Sequence, residues 1–159
     1  MTGWTLDYEG FDARQEGLRE ALCTLGNGYF ATRGAACNAE ADGVHYPGTY
    51  LAGGYNRLQT EIAGRTVENE DLVNLPNWLP LSLRIGDGHW FDFKDMVLHE
   101  YRQSLDLRRG LLSRWFVVED EAGRRTRVSE RRLVHIAEPH LAALELTVHA
   151  ENWTGNLEV

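Results

Sequence analysis

Glu68, Glu70 and Asp71 make "VENEDL" the densest acidic group in the chain. Glycoside cleavage needs one carboxyl group as acid and a second as base or nucleophile, so this group is the first place to look for chemistry. The three carboxylates read as part of a polar loop. No apolar run beside them supplies a pocket that would raise one pKa above the others. They are expected to face water. The six histidines are His45, His89, His99, His135, His140 and His149, and none forms a helical i, i+4 pair with a partnering Glu. His135 and His140 flank "IAEP" and read as turn histidines bonded to backbone. No nucleophile elbow, P-loop or dinucleotide fingerprint is present. Cys23 and Cys37 are too few for a disulfide scaffold and lack metal spacing. No metal and no cofactor is expected.

The aromatics carry more information. The five tryptophans are Trp4, Trp78, Trp90, Trp115 and Trp153. An indole is a rigid apolar plate with one polar handle, suited to stacking on a sugar ring beside an amide that hydrogen-bonds its hydroxyls. "NLPNWLP" sets Asn74, Asn77 and Trp78 on a Pro-bounded loop, which makes Asn77 and Trp78 candidate substrate-binding residues. The same residues suit a structural role, with Trp78 plugging a sheet edge and its N–H finding a partner.

Strands must position these residues. "TLGNGYFATRG" sets Asn27-Gly28 between two short apolar runs, and Asn-Gly favours a type I′ hairpin turn. Gly34 marks the end of the second strand. Leu18, Leu22 and Leu25 form one helical stripe, but Gly17 weakens it and no longer helical period follows. Thr49–Leu51 reads as a strand fragment inside a Gly-rich region. A strand is expected over Leu79–Ile85, with a turn at Gly86-Asp87-Gly88 and a return over His89–Phe93. Pro76 and Pro80 bring this portion in from a loop or an edge. "LLSRWFVVEDEAGRRTRVSERRLVHI" reads as two strands about a polar turn. "HLAALELTVHA" alternates Leu144, Leu146 and Val148 with Glu145 and Thr147, and a further strand starts at "NLEV". The fold class expected is all-β, an antiparallel β-sandwich. Val159 falls inside that last strand, so the chain reads as part of a longer protein.

Bulk composition narrows the partners. The 159 residues carry a formal net charge of -8, with 43% hydrophobic and 25% charged residues, ordinary for a globular domain. An acidic surface repels phosphate backbones and anionic bilayers, which argues against nucleic acid and membrane. The arginines of "LDLRRG" and "GRRTRVSERR" are interleaved with acids and read as a solvated, salt-laced hairpin. With no leader at Met1 and no membrane-length apolar run, a cytoplasmic protein is expected. On that ground the acceptor pattern Asn152-Trp153-Thr154 carries no glycosylation reading.

Five strings occur here in one order: "REALCTLGNGYFATRGA", "YPGTYLAGGYN", "LVNLPNWLPLSLRI", "YRQSLDLRRGLLSRWF" and "HLAALELTVHAENWTGNLEV". Together they resemble the N-terminal domain of glycoside hydrolase family 65, the maltose, trehalose and kojibiose phosphorylases and related hydrolases. The resemblance implies a galactose-mutarotase-like supersandwich, of which residues 1–159 are the first portion, followed by a catalytic (α/α)6-barrel absent from this chain. It implies inverting cleavage of an α-glucosidic disaccharide by a glutamate of that barrel. Inorganic phosphate would be the co-substrate in a phosphorylase, giving β-glucose 1-phosphate, and water would replace it in a hydrolase. No residue here matches the family's catalytic motif, so no catalytic role is assigned. The implied partners are the disaccharide, the chain's own C-terminal catalytic domain and a second copy in a homodimer. Two other readings stand beside this one: a stand-alone carbohydrate-binding module, and an aldose epimerase using a Glu and a His across one pocket.

Overall fold

The computed structural model describes residues 3–159, so the reading of the chain start at Met1 lies outside the described residues. Strand β1 (Thr5–Glu9) leads into helix α1 (Ala13–Leu22), then into the short β2 (Leu25–Gly26), β3 (Phe30–Thr32) and β4 (Thr49–Leu51). The hairpin β5 (Tyr55–Ile62) and β6 (Arg65–Leu72) precedes β7 (Arg84–Ile85). Long strands β8 (Val97–Asp106), β9 (Leu111–Glu119), β10 (Arg125–Val134) and β11 (Ala142–Ala150) follow, and β12 (Leu157–Glu158) pairs with β7. All pairings between these strands are antiparallel, and the main sheet runs β1-β8-β9-β10-β11. The all-β antiparallel architecture read from the sequence is present.

Alternation along β9 and β10 gives the main sheet two unlike faces. The outer face is polar. Arg125, Arg127 and Arg131 point out from it onto Glu119, Glu151 and Glu145. The inner face carries Tyr101, Leu105, Leu112, Phe116, Val118 and Val128, all buried. Across its middle runs a polar row, because register sets Gln103 beside Arg114 and Arg114 beside Glu130. Arg114 is 2% exposed and Arg132 1%. The arginine-rich stretch is therefore a solvated hairpin only in part: strand parity turns Arg132, and Arg114 on its neighbour, into the core.

Buried guanidiniums need partners, and these find them in the sheet itself and in the segment that covers it. Arg114 Nη1 donates to Glu130 Oε2 at 3.0 Å, Nη2 to Gly34 O at 2.7 Å, and Nε to the Tyr101 hydroxyl at 3.1 Å. Arg132 Nη2 donates to Ala35 O at 2.6 Å. It also lies 3.2 Å from Glu130 Oε1 without hydrogen-bond alignment. Cys37 N donates to Glu130 Oε2 at 3.3 Å. Burial works against the charge of Arg114, but Tyr101, Glu130 and Glu16 more than offset it and hold the guanidinium protonated. The covering segment has small side chains at Gly34, Ala35, Ala36, Cys37 and Ala39, which let its backbone reach the arginines. A Cβ at Gly34 would lie 2.7 Å from the Cys23 Cβ, so the glycine is required by close approach. Burial, with Glu130 adding to it, pushes the Cys37 thiol up to about 12, which keeps it protonated and inert.

Four local expectations are corrected. The Leu18/Leu22 stripe of α1 faces solvent, at 57% and 52% exposed, and the helix buries Glu16 and Glu20 against the polar row instead. Its start is set by Asp12, whose side chain accepts from Arg14 N. Asn27-Gly28 does not form a type I′ turn. Only Gly28 has positive φ, at 84°, and Asn27 Oδ1 accepts from the N–H groups of Tyr29 and Phe30. The turn with positive φ at both central residues is Ala63-Gly64, at 52° and 76°, closing the β5–β6 hairpin. "VENEDL" is thus strand rather than loop, although its carboxylates are exposed as expected. Of the strand expected over Leu79–Ile85, only Arg84–Ile85 is paired. Leu79 and Leu83 enter the core from an irregular segment, and the return survives as one bridge between Arg84 and Trp90.

Glu130→Ala would leave Arg114 and Arg132 buried without their shared carboxylate. The expected cost in urea unfolding is about 3–5 kcal/mol. A loss below about 1 kcal/mol would show that the backbone carbonyls alone satisfy both guanidiniums.

Candidate functional site

A cleft of about 700 Å³ opens where the 36–45 segment faces the stretch His89–Asp95. Aromatic packing builds its floor. Phe93 stacks edge-on against Phe116 at 4.9 Å and Phe11 at 5.5 Å, and Phe91 is buried and donates its N–H to Leu83 O. With that stretch anchored, the residues between and beside the phenylalanines are forced to the rim. Trp90 stands there 46% exposed, with the Arg84 guanidinium 4.8 Å from its ring. Arg84 is itself held by Glu158 from β12.

The opposite wall is tied down through its acids. Asp42 accepts the N–H groups of Val44 and His45 at 2.7 and 2.6 Å, and Lys94 reaches across to it at 3.6 Å. The two backbone donors hold the Asp42 carboxyl below the usual carboxylate range, so it is ionised and cannot serve as a proton donor near neutrality. His45 Nδ1 meets the buried Glu20 carboxylate at 2.8 Å, and Glu20 also accepts from Tyr46 N. The carboxyl raised by burial, Glu16, is sealed beneath α1 and pairs with Arg19. The cleft thus offers an aromatic plate, an apolar floor and an anionic rim. Such a surface can hold a hydroxyl-rich ligand or another protein surface.

Asn77 and Trp78 lie elsewhere. Asn77 lines a second cleft of about 380 Å³ with Asn74, Pro47, Asn38 and Pro80. Its Oδ1 accepts from Leu79 N at 3.1 Å, which fixes the loop. Trp78 is half-buried, and its indole N–H donates to the Thr32 hydroxyl at 3.3 Å. The two clefts meet along Asn38–Ala41, which lines both. Sequence reasoning missed the larger cleft. The signal was "HWFDFKD", where aromatics and acids interleave. His135 Nδ1 accepts from Glu138 N at 2.8 Å, the turn role expected of it, while His99 faces Glu119 on the outer sheet face. Among the described residues, no group of three His, Cys, Asp or Glu is placed to hold a metal ion.

The N-terminal domain of glycosyl hydrolase family 65 matches residues 6–159. This chain belongs to that family. An uncharacterised glycosyl hydrolase of Mycobacterium tuberculosis is 48% identical over 98% of this chain and 12% of its own length. A trehalose 6-phosphate phosphorylase of Lactococcus lactis is 37% identical over 80% of the chain and 16% of that protein. A kojibiose phosphorylase of Caldanaerobacter subterraneus is 30% identical over 98% of the chain and 19% of its own length. The chain therefore spans less than a fifth of these family 65 relatives. A putative kojibiose phosphorylase structure from the human microbiome superposes with a TM-score of 0.82 over 92% of this chain and 20% of the other, at 20% identity, which shows a shared fold.

Glu20, bonded to His45, raises the imidazole above its ordinary pKa against the opposing effect of burial, and Asp42 and Glu16 add in the same direction. A raised folded value means the stabilisation is complete below the ordinary value of 6.5 and is lost as pH rises through the folded pKa. Denaturant unfolding from about pH 6 to 9 should show stability declining, with His45→Gln flattening that decline. Identical pH slopes in the two proteins would contradict the coupling.

Proposed function

We propose that this chain is the non-catalytic N-terminal domain of a longer family 65 enzyme that cleaves α-glucosidic disaccharides with inversion. One observation carries this reading. Relatives named for kojibiose and trehalose 6-phosphate phosphorolysis align with most or nearly all of this chain, yet over only 16–19% of their own length. The catalytic machinery then lies in a C-terminal domain, which supplies the acid glutamate. Inorganic phosphate is the co-substrate in a phosphorylase and water in a hydrolase. The domain's part is to pack on the catalytic domain and shape the mouth of its active site. The connected clefts along Asn38–Ala41 give it a concave surface for that purpose, and Asn77 and Trp78 are the loop residues we assign to the mouth. Two free, buried cysteines suit a reducing, cytoplasmic compartment.

A second reading, sugar binding by the domain itself, is favoured by the exposed Trp90 plate at the cleft rim. Titrating maltose or trehalose into the chain while following tryptophan emission separates the two. A saturable shift abolished by Trp90→Ala supports binding, and a flat titration supports the packing role.

In the longer enzyme, Trp78→Ala should raise the apparent KM for disaccharide about three- to tenfold with kcat little changed, as expected for lost ground-state binding. Unchanged kinetics with a lower Tm would make Trp78 a plug held by Thr32 and remove it from the mouth. Release of glucose 1-phosphate only when phosphate is supplied would assign the phosphorylase arm, and free glucose alone the hydrolase arm.

A further inference from the structure

One side chain in the cleft between the 36–45 segment and His89–Asp95 is set up for more than a structural tie. His45 lines the cleft beside Phe11, on the wall opposite Trp90. Its two ring nitrogens are unequal. Nδ1 meets Glu20 Oε1 at 2.8 Å, and that carboxylate is buried. Nε2 makes no hydrogen bond among the described residues and is not one of the buried unpaired atoms, so it lies open on the cleft wall. Glu20 is itself held, accepting from Tyr46 N at 2.9 Å and lying 3.9 Å from Arg33 Nη2. Phe11 packs against the imidazole, with ring centroids 6.3 Å apart. A fixed carboxylate at Nδ1 orients the ring and keeps a proton on that nitrogen, which leaves Nε2 as the working atom.

Nε2 donates a hydrogen bond when the ring is charged and accepts one when it is neutral. A sugar hydroxyl can do both, so it matches this atom in either state. On the opposite wall Arg84 covers one face of the Trp90 indole and leaves the other for the C–H surface of a pyranose ring. Glu40, Asp42, Asp92 and Asp95 line the cleft against one lysine, Lys94, so charge opposes an anionic ligand. On the reading that the domain itself binds sugar, on which this inference rests, we propose that the cleft is a site for a neutral sugar. The ligand stacks on Trp90 and bonds through a hydroxyl to His45 Nε2, with Glu20 as the positioning residue.

This contact is coupled to protons. The charges facing the ring are Glu20 and Glu16 from α1 and Asp42 from its own loop. Arg33 approaches it through Glu20, and Lys94 through Asp42. Glu20 leads in holding the imidazole protonated to higher pH than usual, against the opposing effect of burial. A charged Nε2–H is the stronger donor, so sugar binds more tightly below the folded pKa of His45. By reciprocity, bound sugar raises that pKa further.

Long-range 1H–15N spectra of the histidine side chains, recorded while trehalose is titrated into the chain, test the contact without any substitution. The expected result is a saturable shift of His45 Nε2 that exceeds the shift of Nδ1. Affinity should be about threefold tighter near pH 6 than near pH 9. His45→Phe keeps a flat ring on Phe11 but removes both nitrogens, and should weaken trehalose about tenfold. Glu20→Gln should move the pH dependence of binding to lower pH, which a merely structural role would not do; circular dichroism checks that the main sheet is intact. A saturable change in tryptophan emission with His45 Nε2 unmoved overturns this proposal and leaves the sugar-binding reading standing. No saturation by either readout overturns both. Equal affinity near pH 6 and pH 9, or tighter binding of trehalose 6-phosphate than of trehalose, also overturns the proposal.

Discussion

The buried contact between Arg114 and Glu130 is the constraint on which the remaining structure hangs. Two charges inside a sheet cost a great deal of hydration, and their attraction offsets it only with good geometry and further hydrogen bonds to the remaining lone pairs and protons. Here those groups come both from the neighbouring strand β8 and from outside the sheet. Gly34 and Ala35 offer carbonyls, Cys37 an N–H, and Tyr101 and Gln103 the flanking oxygens. An irregular segment with little side-chain bulk is thereby fixed on a flat surface it could not otherwise grip. That explains why a run of Gly and Ala is among the most buried parts of the molecule.

From that anchor the candidate site follows. Gly34 N donates to Glu20 O, which ties the end of α1 to the covering segment. Glu20 in turn receives His45 and Tyr46, so the loop that walls the larger cleft is fastened to the same buried row. The opposite wall rests on Phe91 and Phe93, which pack into the apolar half of the inner face beside Phe116. Polar and apolar halves of one sheet thus set the two walls of one cleft. The exposed β5–β6 hairpin takes no part in this.

What the sequence made legible is what local pattern controls. β9, β10 and β11 alternate side chains with period two, and their turns carry polar or Gly residues, so their existence and order could be read directly. Family membership was legible in the ordered strings, and the match over residues 6–159 bears it out. The helix face was not. Leu18 and Leu22 look like a core stripe, but the partners that bury Glu16 and Glu20 instead lie far along the chain at Arg33, His45 and Arg114. Arg114 and Arg132 hid in the same way, since only strand parity distinguishes them from the solvated Arg131. The larger cleft joins segments some fifty residues apart, and only tertiary structure brings them together. The β5–β6 hairpin was overlooked because its acids suggested a loop, although Leu58, Thr60 and Ile62 alternate.

The central claim is that the 34–39 segment belongs to the sheet's cooperative unit despite having no regular structure. Native-state amide hydrogen exchange at Gly34 and Cys37 tests it most directly. The account predicts protection at these two amides equal to that of β9 and β10, opening only with global unfolding. Exchange as fast as that of the β5–β6 hairpin would show that the buried arginines do not hold the segment, and would contradict it.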